Sequence, residues 1–148
     1  MAPSILDSHT RSQVGSAPKN ATKVLLVDDD PLIRRALRTT LTSAGYVVLE
    51  AMTGEEALET IRTESVDMVL LDLRMPGMGG LEACRKIREV VDTPILVISI
   101  LRNREDEVQA SEAGADDYLV KPFGVQDLLS RIQGLRRKAA GMERILSV

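Results

Sequence analysis

Between Lys23 and about residue 138, short apolar runs alternate five times with stretches of helical periodicity. The runs lie near 23–27, 46–50, 67–71, 94–98 and 116–120, and the helical patterns near 31–44, 54–63, 80–90, 103–113 and 125–138. Runs such as Val24-Leu25-Leu26-Val27 and Met68-Val69-Leu70-Leu71 are apolar at every position. A strand of that kind needs cover on both faces. Strand-helix units of this length predict an α/β domain: a parallel sheet with helices on both sides and right-handed crossovers.

Local punctuation supports the helices. Asp30 before Pro31 reads as an N-cap followed by a proline at the first helical position, and Ala36, Leu37, Thr40, Leu41 and Ala44 hold one face until Gly45. Thr53 and Glu56 have the spacing of a capping box ahead of Ala57, Leu58 and Ile61. Val125, Leu128, Leu129, Ile132 and Leu135 form the stripe of the last helix. The fourth helix offers little beyond Val108 and Ala113 among its charges, which predicts the weakest anchorage.

With 148 residues, 44% of them apolar, the chain can build one domain with a real core and not two. A formal charge of −3 gives no electrostatic grip on nucleic acid or an anionic membrane. The lone Cys84 excludes an internal disulfide and sits with Leu81 and Ile87 at core spacing on helix three. No apolar stretch approaches the ~20 residues of a membrane span. Residues 1–22, rich in Ser, Thr, Pro, Gly and Asn, read as a disordered extension without the pattern of a signal peptide, and they hold His9, the single histidine. A cytoplasmic location is predicted.

The residues that carry chemistry fall just after the apolar runs. Asp28 and Asp29 follow the first, Asp72 ends the third, Ser99 ends the fourth and Lys121 follows the fifth. Each has an ordinary explanation alone, as a cap or a turn residue. In a parallel sheet, however, all five reach the carboxyl edge, where such folds bind ligands at the topological switch point. Three carboxylates brought together raise one another's pKa and call for a cation. An all-oxygen set without His or Cys suits Mg²⁺. Lys121 adds a point charge and Ser99 a hydroxyl, so a metal, an ammonium and a hydrogen bond could hold a phosphoryl group while Asp72 acts as nucleophile.

Four segments carry a resemblance: Val-Leu-Leu-Val-Asp-Asp-Asp-Pro (24–31), Leu-Leu-Asp-Leu-Arg-Met-Pro-Gly-Met (70–78), Ile-Leu-Val-Ile-Ser (95–99) and Gly-Ala-Asp-Asp-Tyr-Leu-Val-Lys-Pro-Phe (114–123). Residues 23–138 resemble the receiver domain of two-component response regulators, most like the OmpR/PhoB type. The resemblance implies a flavodoxin-like five-stranded sheet of order 2-1-3-4-5 with five helices on two faces. It makes Asp72 the phosphoacceptor, Asp29 and the Arg74 backbone carbonyl Mg²⁺ ligands with Asp72, and Asp28 a ligand through water. Ser99 and Lys121 would hold the phosphoryl group, Tyr118 would turn inward as Ser99 moves, and Lys121-Pro122 would be cis. The donor would be a sensor histidine kinase, and the response a change in the helix-four, strand-five, helix-five surface.

The resemblance also implies a phosphorylation-favoured homodimer through that surface. Glu107 has the wrong sign for the usual helix-four cation, which leaves Arg131 with Asp116 or Asp117 for cross-subunit pairs. Ile100 and Leu101 replace a small and a polar residue beside Ser99, and Arg74 lies two beyond Asp72; together they are expected to gate water and slow loss of the phosphate. Gly79-Gly80 replaces the commoner Asp-Gly and is expected to loosen the entry to helix three. Residues 139–148 read either as a frayed tail or as the start of a linker to a winged-helix DNA-binding domain. In the first case the chain is a single-domain regulator; in the second it is the receiver portion of a transcriptional regulator.

Other classes fit less well. A haloacid-dehalogenase-type phosphotransferase needs its nucleophile and acid two residues apart after strand one, plus a cap insertion. A flavodoxin-like electron carrier needs a Ser/Thr-Gly phosphate loop after strand one, and only Tyr46, Tyr118 and Phe123 could flank a flavin. A degenerate receiver serving only for docking would not need all of Asp28, Asp29, Asp72, Ser99 and Lys121.

Overall fold

A computed structural model describes residues 21–147, with side chains placed as far as residue 141. The extension read over residues 1–22, with His9, lies almost wholly outside the described residues. The strands are β1 (Lys23–Val27), β2 (Val47–Ala51), β3 (Met68–Asp72), β4 (Ile95–Ser99) and β5 (Asp117–Val120). They form one parallel sheet in the order β2-β1-β3-β4-β5. Between them run α1 (Pro31–Ser43), α2 (Gly54–Thr63), α3 (Gly80–Val90), α4 (Arg104–Glu112) and α5 (Val125–Ser147).

The period of two along the strands sorts the core into two layers. Leu25, Val27, Val69, Leu71, Ile95 and Val97 face Ala57, Leu58, Ile61, Ala83, Cys84 and Ile87 of α2 and α3. Val24, Leu26, Met68, Leu70, Leu96 and Ile98 face Leu37, Leu41, Leu128, Ile132 and Leu135 of α1 and α5. Each fully buried Leu or Ile contributes ~1.5–3 kcal/mol over its exposed state, so the all-apolar strands of the centre hold the sheet. Burial also pushes the Cys84 thiol up to about 11, an inert core residue rather than a reactive one.

Local chemistry places the helix starts. Asp30 accepts a hydrogen bond from Leu32 N at 2.9 Å, with Pro31 opening α1, and Gly45 takes φ 98° beyond its end. Thr53 Oγ1 accepts from Glu56 N at 3.1 Å, and in return Glu56 Oε1 accepts from Met52 N at 2.7 Å, one residue earlier than a capping box reaches. α4 is held chiefly from within, by the Asn103 cap on Asp106 N and the first-turn acids Glu105, Asp106 and Glu107. Its inward residues are Ala110 and Ala113, while Val108, expected inside, is exposed. Two methyl-sized anchors make it the most thinly seated helix of the five.

The last helix differs from its expected span. It continues past residue 138 to Ser147. Ala, Lys, Arg, Glu, Met and Leu dominate this stretch, and their backbone preference sustains the helix beyond Leu135, its last buried anchor among the residues with described side chains.

Candidate functional site

Asp28, Asp29 and Asp72 meet where β1 and β3 run side by side, the point from which the chain order departs in opposite directions. One carboxylate oxygen from each lies within 4.8 Å of the others, a set able to hold a metal ion. Lys121, just after β5, brings Nζ to 3.6 Å from Asp28 Oδ2 and 3.8 Å from Asp72 Oδ1. The Lys121-Pro122 peptide is cis.

The acids differ in their surroundings. Asp28 is buried, accepting from Asp30 N at 2.9 Å through Oδ1. Asp29 is the most open of the three. Asp72 is 8% exposed, and Arg74 N donates to its Oδ1 at 3.2 Å. Burial pushes the Asp72 carboxyl above its ordinary range; the neighbouring Asp28 and, less so, Asp29 push the same way, against Lys121 and the Arg74 N–H. A carboxylate set that raises its own central acid fits a bound cation, and three oxygen donors without nitrogen or sulfur fit a hard one.

The remaining expected residues range from buried to exposed. Ser99 is fully covered, its Oγ accepting from Leu101 N at 3.0 Å, with the hydroxyl proton left to donate. Tyr118 is already packed inward, and its hydroxyl donates to Leu101 O at 2.8 Å. Leu101 thus bonds both proposed switch residues through its backbone. Ile100 is 50% exposed, and Arg74 extends into solvent.

The charges expected to serve a second subunit have partners within the chain. Arg131 is engaged within its own chain, at 2.9 Å from Asp117 and 3.0 Å from Asp127, and Asp116 pairs with Arg88 at 2.8 Å while accepting from Ile95 N. At the entry to α3 the cap residue Gly79 makes no side-chain hydrogen bond, while a Cβ on Gly80 would lie 2.4 Å from Leu73 Cα and 2.6 Å from Asp72 O. Gly79 has φ 80° and ψ 161°, a region that glycine alone occupies readily. Two residues escaped sequence reasoning. Arg34 donates to the backbone oxygen of Asp28 at 2.8 Å, and Glu50 of β2 accepts from Arg34 at 3.2 Å. No spacing rule links positions on a helix and a neighbouring strand.

Fold and cleft define a class, the parallel α/β proteins that gather acids and a lysine at the carboxyl edge of the sheet. The chain belongs to the response regulator receiver domain family, whose profile matches residues 24–133. It is 44% identical over 121 residues to the transcriptional regulatory protein ResD of Bacillus subtilis, covering 82% of this chain and 50% of that one. It is 43% identical over 123 residues to the transcriptional regulatory protein KdpE of Mycobacterium tuberculosis, covering 82% and 54%. The chain thus spans about half the length of these curated relatives. Among solved structures, the chemotaxis protein CheY4 of Vibrio cholerae matches with TM-score 0.75 and 36% identity over 78% of this chain and 98% of that one. The response regulator TrrA of Thermotoga maritima, solved with Mg²⁺ and BeF, matches with TM-score 0.71 and 36% identity over 77% and 98%. No helix among the described residues is long and apolar enough to cross a membrane.

Proposed function

We propose that this receiver is a phosphorylation switch in which Asp72 accepts a phosphoryl group from the phosphohistidine of a sensor kinase. The observation that carries this reading is the meeting of Asp28, Asp29 and Asp72 within 4.8 Å, with the Lys121 ammonium beside two of them. Asp29, Asp72 and the Arg74 carbonyl would hold Mg²⁺, with Asp28 acting through water. Bound there, Mg²⁺ supplies positive charge against the phosphoryl oxygens. An Asp72 oxygen attacks phosphorus in line, the P–N bond to histidine breaks, and an acyl phosphate remains. Lys121 Nζ moves onto one phosphoryl oxygen and the Ser99 hydroxyl donates to another.

Four apolar side chains follow strand ends at this same edge: Leu32, Met52, Ile100 and Val125 are 74%, 48%, 50% and 51% exposed. An apolar rim around an acidic cleft suits a protein donor better than a small phosphate, and a cytoplasmic location goes with a kinase partner. The added charge of roughly −1.5 to −2 draws Ser99 and Lys121, and the pull passes through Leu101 to Tyr118 and the thinly seated α4. The resulting surface is that of α4, β5 and α5. Dimerisation through it is weaker than in OmpR/PhoB-type relatives because Glu107 has the wrong sign for the usual α4 cation, and Arg131, Asp116 and Asp117 must exchange partners within the chain; sedimentation of the beryllofluoride-treated chain as a strict monomer at high concentration would exclude it. With the length of its relatives, the chain reads as the receiver portion of a DNA-binding transcriptional regulator.

Acetyl phosphate with Mg²⁺, followed by intact mass, tests the acceptor. One phosphoryl group should appear on wild type and none on Asp72→Asn; labelling of Asp72→Asn at the wild-type rate would refute the assignment.

A further inference from the structure

Behind the acidic cleft, Arg34 of α1 is built into the wall. Its side chain is 13% exposed and divides its donors between two elements. One terminal nitrogen donates to the Asp28 backbone oxygen at 2.8 Å, and Nε donates to Glu50 Oε1 of β2 at 3.2 Å. Arg38 holds the other Glu50 oxygen at 3.1 Å. The carbonyl that Arg34 grips belongs to the peptide joining Asp28 to Asp29. The opposite side of the Asp28 residue is fixed as well, because its N–H donates to Ala51 O at 3.2 Å.

We propose that Arg34, oriented by Glu50, is a positioning residue for the metal-binding acids. The role rests on the Mg²⁺ reading of the cleft. Clamping the oxygen of the Asp28–Asp29 peptide fixes its plane, and that plane sets the direction in which the Asp29 side chain leaves the backbone. Asp29 is the most open of the three acids and has no side-chain hydrogen bond among the described residues, so its aim depends on the peptide before it. A guanidinium can serve a carbonyl and a carboxylate at once through separate N–H groups; an ammonium on a flexible stem can satisfy either but not fix both. The Arg34–Glu50 pair is partly open to water, where an ion pair adds little to stability, so its consequence should appear in the geometry it imposes.

The test titrates Mg²⁺ calorimetrically into the full 148-residue chain as wild type, Arg34→Ala, Arg34→Lys, Glu50→Ala and Asp29→Asn, with melting curves recorded in EDTA. Loss of a group that orients a metal ligand weakens affinity on the order of 10-fold. Arg34→Ala and Glu50→Ala should show such a loss, Arg34→Lys a smaller one, and all three should melt near wild type without metal. With acetyl phosphate, their half-saturating Mg²⁺ should rise while the rate at saturating Mg²⁺ holds. Unchanged Mg²⁺ affinity in Arg34→Ala, beside a clear loss in Asp29→Asn, overturns the role of Arg34 and leaves the receiver chemistry standing. Unchanged affinity in Asp29→Asn overturns the metal reading itself. Should Arg34→Ala fail to fold, Glu50→Ala and Arg34→Lys decide on the same scale.

Discussion

Lys121 Nζ faces Asp72 Oδ1 across 3.8 Å, beyond hydrogen-bond length, and stands at a similar 3.6 Å from Asp28 Oδ2. The ammonium therefore balances the two acids as a charge without being committed to either. Lys121→Ala should leave Asp72 harder to ionise and remove a cation from the phosphoryl oxygens. Labelling by acetyl phosphate near neutral pH is expected to slow ~10-fold, equivalent to about 1.4 kcal/mol, with partial recovery in Lys121→Arg. A time course by intact mass measures it.

Asp72 sets a pH dependence of stability. Its pKa in the folded chain is raised by burial first and then by Asp28, so the folded state holds the proton more tightly than the unfolded chain. The corresponding stability is present below the unfolded carboxyl pKa and is lost as pH rises through the folded value. In EDTA near neutral pH, Asp72→Asn should melt a few degrees above wild type. That gap should close as pH falls through the carboxylate range, and Mg²⁺ should reverse the order by stabilising only wild type. Calorimetric melts across pH, with and without metal, give the comparison.

Loss of the phosphate needs a water aligned behind phosphorus. Leu101 is half-buried beside Ser99 and offers no polar side-chain group, so phospho-Asp72 should be long-lived. Leu101→Glu is expected to speed dephosphorylation ~10-fold. Ile100→Ala should do less, because the Ile100 side chain is half in solvent already. Equal decay in all three chains, followed by mass, would end the gating role.

Two neighbouring glycines should fail for different reasons. Gly80→Ala drives a Cβ into Leu73 and the Asp72 carbonyl, an overpacking cost of about 1–3 kcal/mol or more, and should also misplace the acceptor. Gly79→Ala meets no atom within 4 Å and should lose only the backbone strain of its positive φ, ~1–3 kcal/mol. Urea unfolding separates the two from wild type, and labelling should suffer more in Gly80→Ala at equal stability.

Much of this protein is legible along the chain because its signals are local. Apolar runs fix the strands, Asp30-Pro31 and Gly45 bound α1, and the position of Asp28, Asp29, Asp72, Ser99 and Lys121 after successive runs sends them to one edge of a parallel sheet. Other features depend on groups distant in sequence coming into contact, which no periodicity reports. The in-chain pairing of Arg131 with Asp117 joins α5 to β5, Arg34 joins α1 to Glu50 and the Asp28 carbonyl, and Gly80 is required only because α3 starts against the backbone of Leu73. Along the sequence Val108 reads as inward, yet Ala110 is the buried residue, because a helix with two small anchors has too weak an apolar stripe to fix its rotation. The sequence by itself determined the strands, the edge at which the acids gather and the family; the tertiary structure decided which charges remain free, where the backbone leaves no room for a side chain, and what holds each acid in place, because these are set by distances between elements rather than by spacing within them.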